Sequence, residues 1–389
     1  MRGRIAVTAL VAWAGTLALA ALLPRAAAAQ SRYIAFGDSI TEGFGDTANQ
    51  GGYPARLQKL LTARGQNALV INAGLGGETT AGGLSRITRV LASAVSGDTL
   101  LLMEGTNDVN AKISPETIVF NLDQIAQKAA SVGVSTVHVT VIPRMPTANT
   151  DGSNIETGVL AGQIREEAFA HGRKLADPFE VFLHETPDAF NQDYLGGDDK
   201  LHPNGKGYDR LARVFADMLT GVDAVPPVTG LVEPQDGSLN VPAATAVRVD
   251  LYDFGAGIDL PSVKLLVNGL VVNPTVTGND RKLQLFYQPT TPFAGVVNVS
   301  LQAQDKANPV NLFDLRRISQ FLIVGTTFLP ADFNRDGRVD GEDLVVLALA
   351  FGAHRYNDNF NLAADLNGDG IIDGLDLALL AASFGKSTF

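Results

Sequence analysis

Ser39 is the residue around which reactive chemistry can be assembled in this chain. It lies in Phe36-Gly37-Asp38-Ser39-Ile40-Thr41-Glu42-Gly43, directly after the apolar run Tyr33–Phe36. Such a run reads as a buried strand, and Gly37 lets the backbone turn sharply at its end. A serine placed there sits beyond the carboxyl end of a strand, where open α/β sheets collect their reactive groups. The plain alternative is a helix N-cap. Further along, Asp199-Lys200-Leu201-His202-Pro203 offers an imidazole with a carboxylate three residues before it, and Gly105-Thr106-Asn107-Asp108 offers a side-chain amide. Acyl transfer needs a nucleophile, a base, a group to orient the base, and donors for the developing oxyanion. The chain holds all four kinds of residue.

Gly37-Asp38-Ser39, Asn72-Ala73-Gly74-Leu75-Gly76-Gly77-Glu78-Thr79, Gly105–Asp108 and Asp199–Pro203 occur in that order, the first three after apolar strands. Together they resemble the four sequence blocks of the SGNH (GDSL-type) esterase family, over residues 31–219. The resemblance implies an α/β fold, a flavodoxin-like three-layer α/β/α parallel sheet. It also implies Ser39 as nucleophile, His202 as base and Asp199, favoured over Asp198, as the acid that orients the imidazole. Three oxyanion donors follow from it: the backbone N–H of Ser39, the backbone N–H of Gly77 and the amide of Asn107. Gly74 and Gly76 are close rivals for the glycine, and Asn107 would equally suit a turn. Asp38 reads as structural, and Asp46, Glu104 and Asp108 lie near the site by sequence with no assignable role. His138 reads as a core histidine, and His171 and His184 have no partners at informative spacing. There is no Gly-x-Ser-x-Gly elbow and no His-Glu-x-x-His helix, which removes the common α/β-hydrolase arrangement and zinc proteases.

The elements that must position these groups alternate. Apolar runs at Tyr33–Phe36, Ala68–Asn72, Thr99–Met103, Thr136–Ile142 and Lys174–Asp177 read as strands. Amphipathic stretches at Tyr53–Ala63, Leu84–Val95, Pro115–Ala130, Gly158–His171 and Gly207–Leu219 read as helices. That alternation predicts a parallel sheet covered on both faces, with right-handed crossovers bringing the post-strand loops to one edge. Arg144–Asn154, rich in Pro, Thr, Asn and Gly, is expected to be a substrate loop on that edge.

The chain has 389 residues, 46% of them hydrophobic, enough for two or three domains. It has no cysteine, which excludes disulfides and thiolate metal sites, and its formal net charge of −11 argues against nucleic acid or an anionic bilayer as the main partner. Residues 1–30 read as a signal peptide: Arg2 and Arg4, an apolar run from Ile5 to Leu23, then Ala26–Ala29 as small cleavage-site residues. An uncleaved anchor is the alternative. The expected domains are a catalytic unit at 31–222, a β-sandwich at 228–326 and a calcium unit at 330–389. The sandwich rests on short β-branched runs at Ala246–Leu251, Ser262–Val267, Leu283–Tyr287, Val296–Ala303 and Ile318–Val324. The stretch Gly257-Ile258-Asp259 through Val267-Asn268-Gly269, then Ala303-Gln304-Asp305, resembles bacterial Ig-like modules, usually spacers.

The C-terminal segment is duplicated. Asp332, Asn334, Asp336, Arg338, Asp340 and Asp343 recur as Asp365, Asn367, Asp369, Ile371, Asp373 and Asp376, at loop positions 1, 3, 5, 7, 9 and 12. Oxygen ligands at this spacing, with position 7 ligating through its carbonyl and a glycine at position 6, converge on Ca²⁺. Aspartate at position 12 and apolar helices at Leu344–Phe351 and Leu377–Phe384 after the loops resemble a type I dockerin. That resemblance implies two structural calcium ions and a cohesin-type partner, although Gly341-Glu342 and Gly374-Leu375 replace the Ser-Thr-like pairs many dockerins use. The sequence thus points to a secreted serine esterase hydrolysing carboxylic esters, with acetylated polysaccharide as expected substrate and no cofactor for catalysis. A lysophospholipase- or thioesterase-like lipid esterase and a non-catalytic glycan-binding scaffold are the alternatives.

Overall fold

The structure is a computed structural model that describes residues 30–144, 151–185, 194–196, 201–323, 329–355, 357 and 359–387. The expected signal peptide, apart from Gln30, and Asp199 lie outside the described residues.

The first unit runs β1 (Ser31–Gly37), α1 (Ser39–Glu42), α2 (Gly52–Ala63), β2 (Ala68–Gly74), α3 (Thr80–Val90), β3 (Thr99–Met103), α4 (Thr106–Asn110) and α5 (Pro115–Ser131). It continues with β4 (Ser135–Val139), α6 (Asp151–Ala170), β5 (Lys174–Ala176), α7 (Pro178–Glu185) and α8 (Gly205–Thr220). The five strands form one parallel sheet in the order β2-β1-β3-β4-β5. One face packs Leu57, Leu61, Tyr208, Leu211 and Phe215 from α2 and α8. The other packs Ile87, Ile118, Leu122, Ile125, Leu160 and Ile164 from α3, α5 and α6. This is the doubly covered sheet expected from the alternation of elements.

Several boundaries differ from expectation: α3 runs Thr80–Val90 instead of Leu84–Val95, and α6 begins at Asp151 instead of Gly158. The apolar run Thr136–Ile142 leaves the sheet after Val139, because β5 offers only three residues to pair with it; Thr140, Val141 and Ile142 remain buried. Residues 145–150 of the expected substrate loop lie outside the described residues, and its end is already helix, since α6 starts at Asp151. Asn154 bonds back to Arg144, accepting from its N–H at 3.0 Å and donating to its carbonyl at 2.9 Å.

The second unit contains β6 (Val228–Glu233), β7 (Val247–Tyr252), β8 (Lys264–Val267), β9 (Leu270–Val272), β10 (Thr275–Asn279), β11 (Lys282–Tyr287), β12 (Val296–Gln304) and β13 (Leu312–Leu322). Two four-stranded antiparallel sheets, β10-β11-β7-β6 and β13-β12-β8-β9, enclose a shared core including Val249, Leu251, Leu265, Leu285, Val299 and Phe321. Strand β13 starts six residues before the expected Ile318, because the long β12 gives Leu312 onward an antiparallel partner. The sandwich is joined to α6 by the buried Arg165, whose Nη1 donates to the Thr229 carbonyl at 2.7 Å, and to α7 by an Arg316–Glu180 ion pair.

The last unit carries α9 (Gly341–Ala350) and α10 (Gly374–Ser383) over a small core of Val339, Leu347, Ala364, Ile372 and Leu380. Both helices start three residues before the expected Leu344 and Leu377. The reason is a capping box in each: Asp340 with Asp343, and Asp373 with Asp376, satisfy the first-turn N–H groups.

Candidate active site

Strand register decides where the candidate groups fall. Gly37 of β1 pairs with Gly74 of β2 on one side and Met103 of β3 on the other. The residues that follow these three positions therefore leave the sheet at one level. A Cβ on Gly37 would meet the Met103 carbonyl and Thr41 Oγ1 at 2.2 Å each, so only glycine allows β1 to pass there. Asp38, not Ser39, is the N-cap of α1: its Oδ1 accepts from the Ile40 N–H at 2.9 Å. Ser39 is thus the first residue of the helix, with its hydroxyl free for another partner.

That partner is His202. Ser39 Oγ lies 2.8 Å from His202 Nε2, and both residues are half-buried. His202 is held by the entry to α8: its carbonyl accepts from the Gly196 N–H, Pro203 bridges to Leu195, and Asn204 caps the helix by accepting from the Gly207 N–H.

The three glycines of the second block differ in what their N–H groups do. Gly74 donates to Asn72 Oδ1 at 2.9 Å, and Gly76 donates to Glu42 Oε2 at 2.8 Å. Gly77 has no acceptor among the described residues, and a Cβ there would meet nothing within 4 Å. The Ser39 N–H, at the first position of α1, is likewise uncommitted among the described residues. Asn107 Nδ2 donates to the Glu78 carbonyl at 2.8 Å, which fixes the amide and leaves its second hydrogen available. The structure therefore brings together Ser39, His202, Gly77 and Asn107, with two N–H groups and one amide hydrogen unspent.

Several acids near the site have structural duties that their sequence positions concealed. Asp108 is fully buried and ties the third loop to the second: it accepts from the Thr80 N–H at 2.9 Å and from Thr80 Oγ1 at 2.6 Å. Asp46 accepts from the N–H groups of Ala48, Gln50 and Gly52 and pairs through both oxygens with Arg56, at 2.6 and 2.9 Å. The Arg56 hydrogen bonds hold its carboxyl well below the usual range, against the opposing effect of burial. Glu78 takes Arg86 in a bidentate ion pair. Glu104 is fully buried with neither oxygen bonded among the described residues; burial, then the charges of Asp38 and Glu78, push its carboxyl well above the usual range. Burial likewise raises Asp38 to about 6, opposed by the Ile40 N–H and the nearby His202. His138 is buried against Glu167 and Arg173, and burial lowers its imidazole to about 3. No spacing rule would have found the Asp46–Arg56 or Asp108–Thr80 pairs, because their partners come from other elements.

The two acidic loops share most of their hydrogen bonds, although Asp365 Oδ1 also accepts from the Asp369 N–H at 3.1 Å. Asp332 Oδ2 accepts from the Gly337 N–H and Asp365 Oδ2 from the Gly370 N–H, each at 3.0 Å. Asp343 and Asp376 are fully buried, and the Oδ1 of each accepts from two N–H groups at the start of its own loop. Asp332 Oδ1 is buried with no hydrogen-bond partner among the described residues. A buried carboxylate oxygen left unbonded among other inward-turned acids is the arrangement a hard cation would satisfy.

Comparison with known proteins gives matching results. Residues 35–210 match the GDSL-like Lipase/Acylhydrolase family and residues 330–384 match the Dockerin type I domain. The chain carries a GDSL-type acylhydrolase domain and a type I dockerin domain. The chain is 40% identical over 120 residues to Esterase TesA of Pseudomonas aeruginosa, covering 31% of this chain and 57% of that protein. It is 29% identical over 122 residues to an arylesterase of Vibrio mimicus, covering 31% of this chain and 60% of that protein. The matched stretch thus spans less than two thirds of either relative. Among solved structures, a lipase/acylhydrolase from Enterococcus faecalis is 25% identical and covers 49% of this chain and 96% of that one, with a TM-score of 0.43.

Two outcomes follow from the GDSL-domain geometry. Removing one oxyanion donor costs about 3–4 kcal/mol of transition-state stabilisation. On the oxyanion role that the family resemblance implies for Asn107, Asn107→Ala is expected to lower kcat about 100–1000-fold, while loss of its bond to Glu78 costs the fold only about 1 kcal/mol; steady-state kinetics and thermal melting measure the two. Asp38 has a folded-state pKa raised from 3.8 to about 6, so the stability it contributes is complete below pH 4 and is lost as pH rises through 6. Asp38→Asn, which keeps the cap acceptor, is expected to gain stability relative to the parent between pH 4.5 and 7.5, by at most about 3 kcal/mol. Denaturant titrations at the two pH values read that gain.

Proposed function

We propose that this chain is an exported serine hydrolase that cleaves carboxylic esters through Ser39. The observation that carries the reading is the 2.8 Å contact between Ser39 Oγ and His202 Nε2 beside three uncommitted hydrogen-bond donors. His202 takes the Ser39 proton as Oγ attacks the ester carbonyl, and the developing oxyanion is received by the N–H groups of Ser39 and Gly77 and by the Asn107 amide. Collapse expels the alcohol, which receives the proton from His202, and leaves an acyl group on Ser39. Water then attacks the acyl-enzyme with His202 again as base. Asp199 is assigned to orient the imidazole, on its Asp-x-x-His spacing.

Acetylated polysaccharide is the favoured substrate. A dockerin commonly joins an enzyme to polysaccharide-degrading assemblies, and this association supports the reading. Cavities of about 740 Å³ and 370 Å³ lie between the GDSL domain and the sandwich, and neither is lined by Ser39 or His202. A long acyl chain would find no tunnel in either. One observation favours the lipid-directed alternative: Phe44 and Leu75 beside the site are large, apolar and exposed.

The paired loops are assigned two structural calcium ions: one on Asp332, Asn334, Asp336, the Arg338 carbonyl, Asp340 and Asp343, the other on the corresponding residues from Asp365 to Asp376. The outward faces of α9 and α10 leave Val345, Leu349, Leu375 and Leu379 exposed, which suits a cohesin-type protein partner. Export rests on the leader-like residues 1–30, and the mature chain is expected to begin near Gln30 or Ser31, as N-terminal sequencing would read.

Ser39→Ala should abolish hydrolysis of acetylated xylan at unchanged melting temperature. Equal turnover by parent and variant would end the esterase reading, and faster cleavage of long-chain p-nitrophenyl esters than of acetylated xylan would favour the lipid alternative. Calcium should raise the melting temperature of the parent, and Asp332→Ala with Asp365→Ala should remove that gain. An undiminished response in the double variant would exclude these loops as the binding sites.

A further inference from the structure

The aromatic ring in contact with His202 is that of Phe44. Its ring meets the His202 imidazole edge-on, with centroids 4.6 Å apart and planes inclined by 62°. The same side chain remains 59% exposed. Its backbone, by contrast, is held on both sides. The Phe44 N–H donates to the Ser39 carbonyl at 2.9 Å, and the Phe44 carbonyl accepts from the buried Tyr208 hydroxyl at 2.6 Å. The next residue closes the approach: a Cβ on Gly45 would stand 2.8 Å from His202 Cβ, so only glycine lets this loop lie against the imidazole. Asp46 and Arg56 then anchor the loop from behind. A large apolar ring thus stands in solvent beside His202, on a backbone held from both sides.

Catalytic geometry decides which part of an ester the ring would meet. Resting on the ester-hydrolase reading above, the carbonyl oxygen is received by donors on the loops after β1, β2 and β3. His202 must reach the departing oxygen in order to protonate it. The group that touches the imidazole therefore lies along the path of the alcohol, while the acyl substituent is directed elsewhere. We infer that Phe44 is a specificity-determining residue for the alcohol half of the substrate, a platform for the flat face of a ring-bearing alcohol such as a pyranose or an aryl group. An aromatic platform of this kind covers apolar ring surface and leaves the rim hydroxyls of a sugar in water.

The test holds the acyl group constant and varies the alcohol. With the full chain, ethyl acetate, phenyl acetate and an acetylated methyl xyloside are compared for the parent, Phe44→Ala and Phe44→Tyr. Phe44→Ala is expected to lower kcat/KM about 3–10-fold for the two ring-bearing esters and less than about 2-fold for ethyl acetate, from the usual worth of a ring contact. Phe44→Tyr should retain the preference, and the pH profile of kcat/KM should not move. A loss equal across all three alcohols, or a shifted pH profile, would mean that the ring only supports His202 and would overturn the inference. So would a loss that depends on acyl length between phenyl acetate and phenyl octanoate. These outcomes are separable from failure of the hydrolase reading, in which Ser39→Ala would match the parent on every ester.

Discussion

The grouping of the candidate site depends on the lateral pairing of one strand. Gly37 is level with both Gly74 and Met103, so three chain segments leave the sheet side by side. A parallel sheet with right-handed crossovers delivers its loops to one edge, but the register decides whether they meet. Here they do. The fourth segment, at His202, comes from the entry to α8 and closes the group from the side.

Loops that meet must also stay in place. The buried carboxylates near the site supply this rigidity. Asp108 fastens the third loop to the start of α3, Glu78 with Arg86 fastens the second, and Asp46 with Arg56 fastens the loop beside His202. Each buried acid is bonded to N–H, hydroxyl or guanidinium groups from a different stretch of chain, the condition under which a buried charge is tolerated. Glu104 is the exception: burial among other acids favours its neutral form. Donors held this way need little reorganisation when charge develops, the physical basis of oxyanion stabilisation.

Much of this arrangement was legible in the residues themselves. Apolar runs alternating with amphipathic stretches gave the five strands of the first sheet, and Ser39, Asn107 and His202 stand at or near positions where such a sheet ends or a helix begins. The choice among Gly74, Gly76 and Gly77 was not legible, because it turns on which N–H is already bonded, and the acceptors are Asn72 in one case and Glu42, far back in the chain, in the other. The short helices α1, α4 and α7 carry too few residues to impose a period. The starts of α9 and α10 were misplaced because the same aspartates that suggest a cation loop also form the capping boxes. The roles of Asp46 and Asp108 required partners that only the fold brings near.

The contact beneath Gly37 bears on how this scaffold could be redesigned. With a carbonyl and a hydroxyl both 2.2 Å from where any side chain would begin, position 37 tolerates no diversity, and neither a larger library nor a compensating neighbour enlarges that gap without moving β3. Positions 44 and 75 stand at the opposite extreme, with side chains open to solvent on loops whose backbones are independently anchored. Combinatorial variation aimed at altered selectivity is therefore best spent on those two, where the sheet beneath will not register the change.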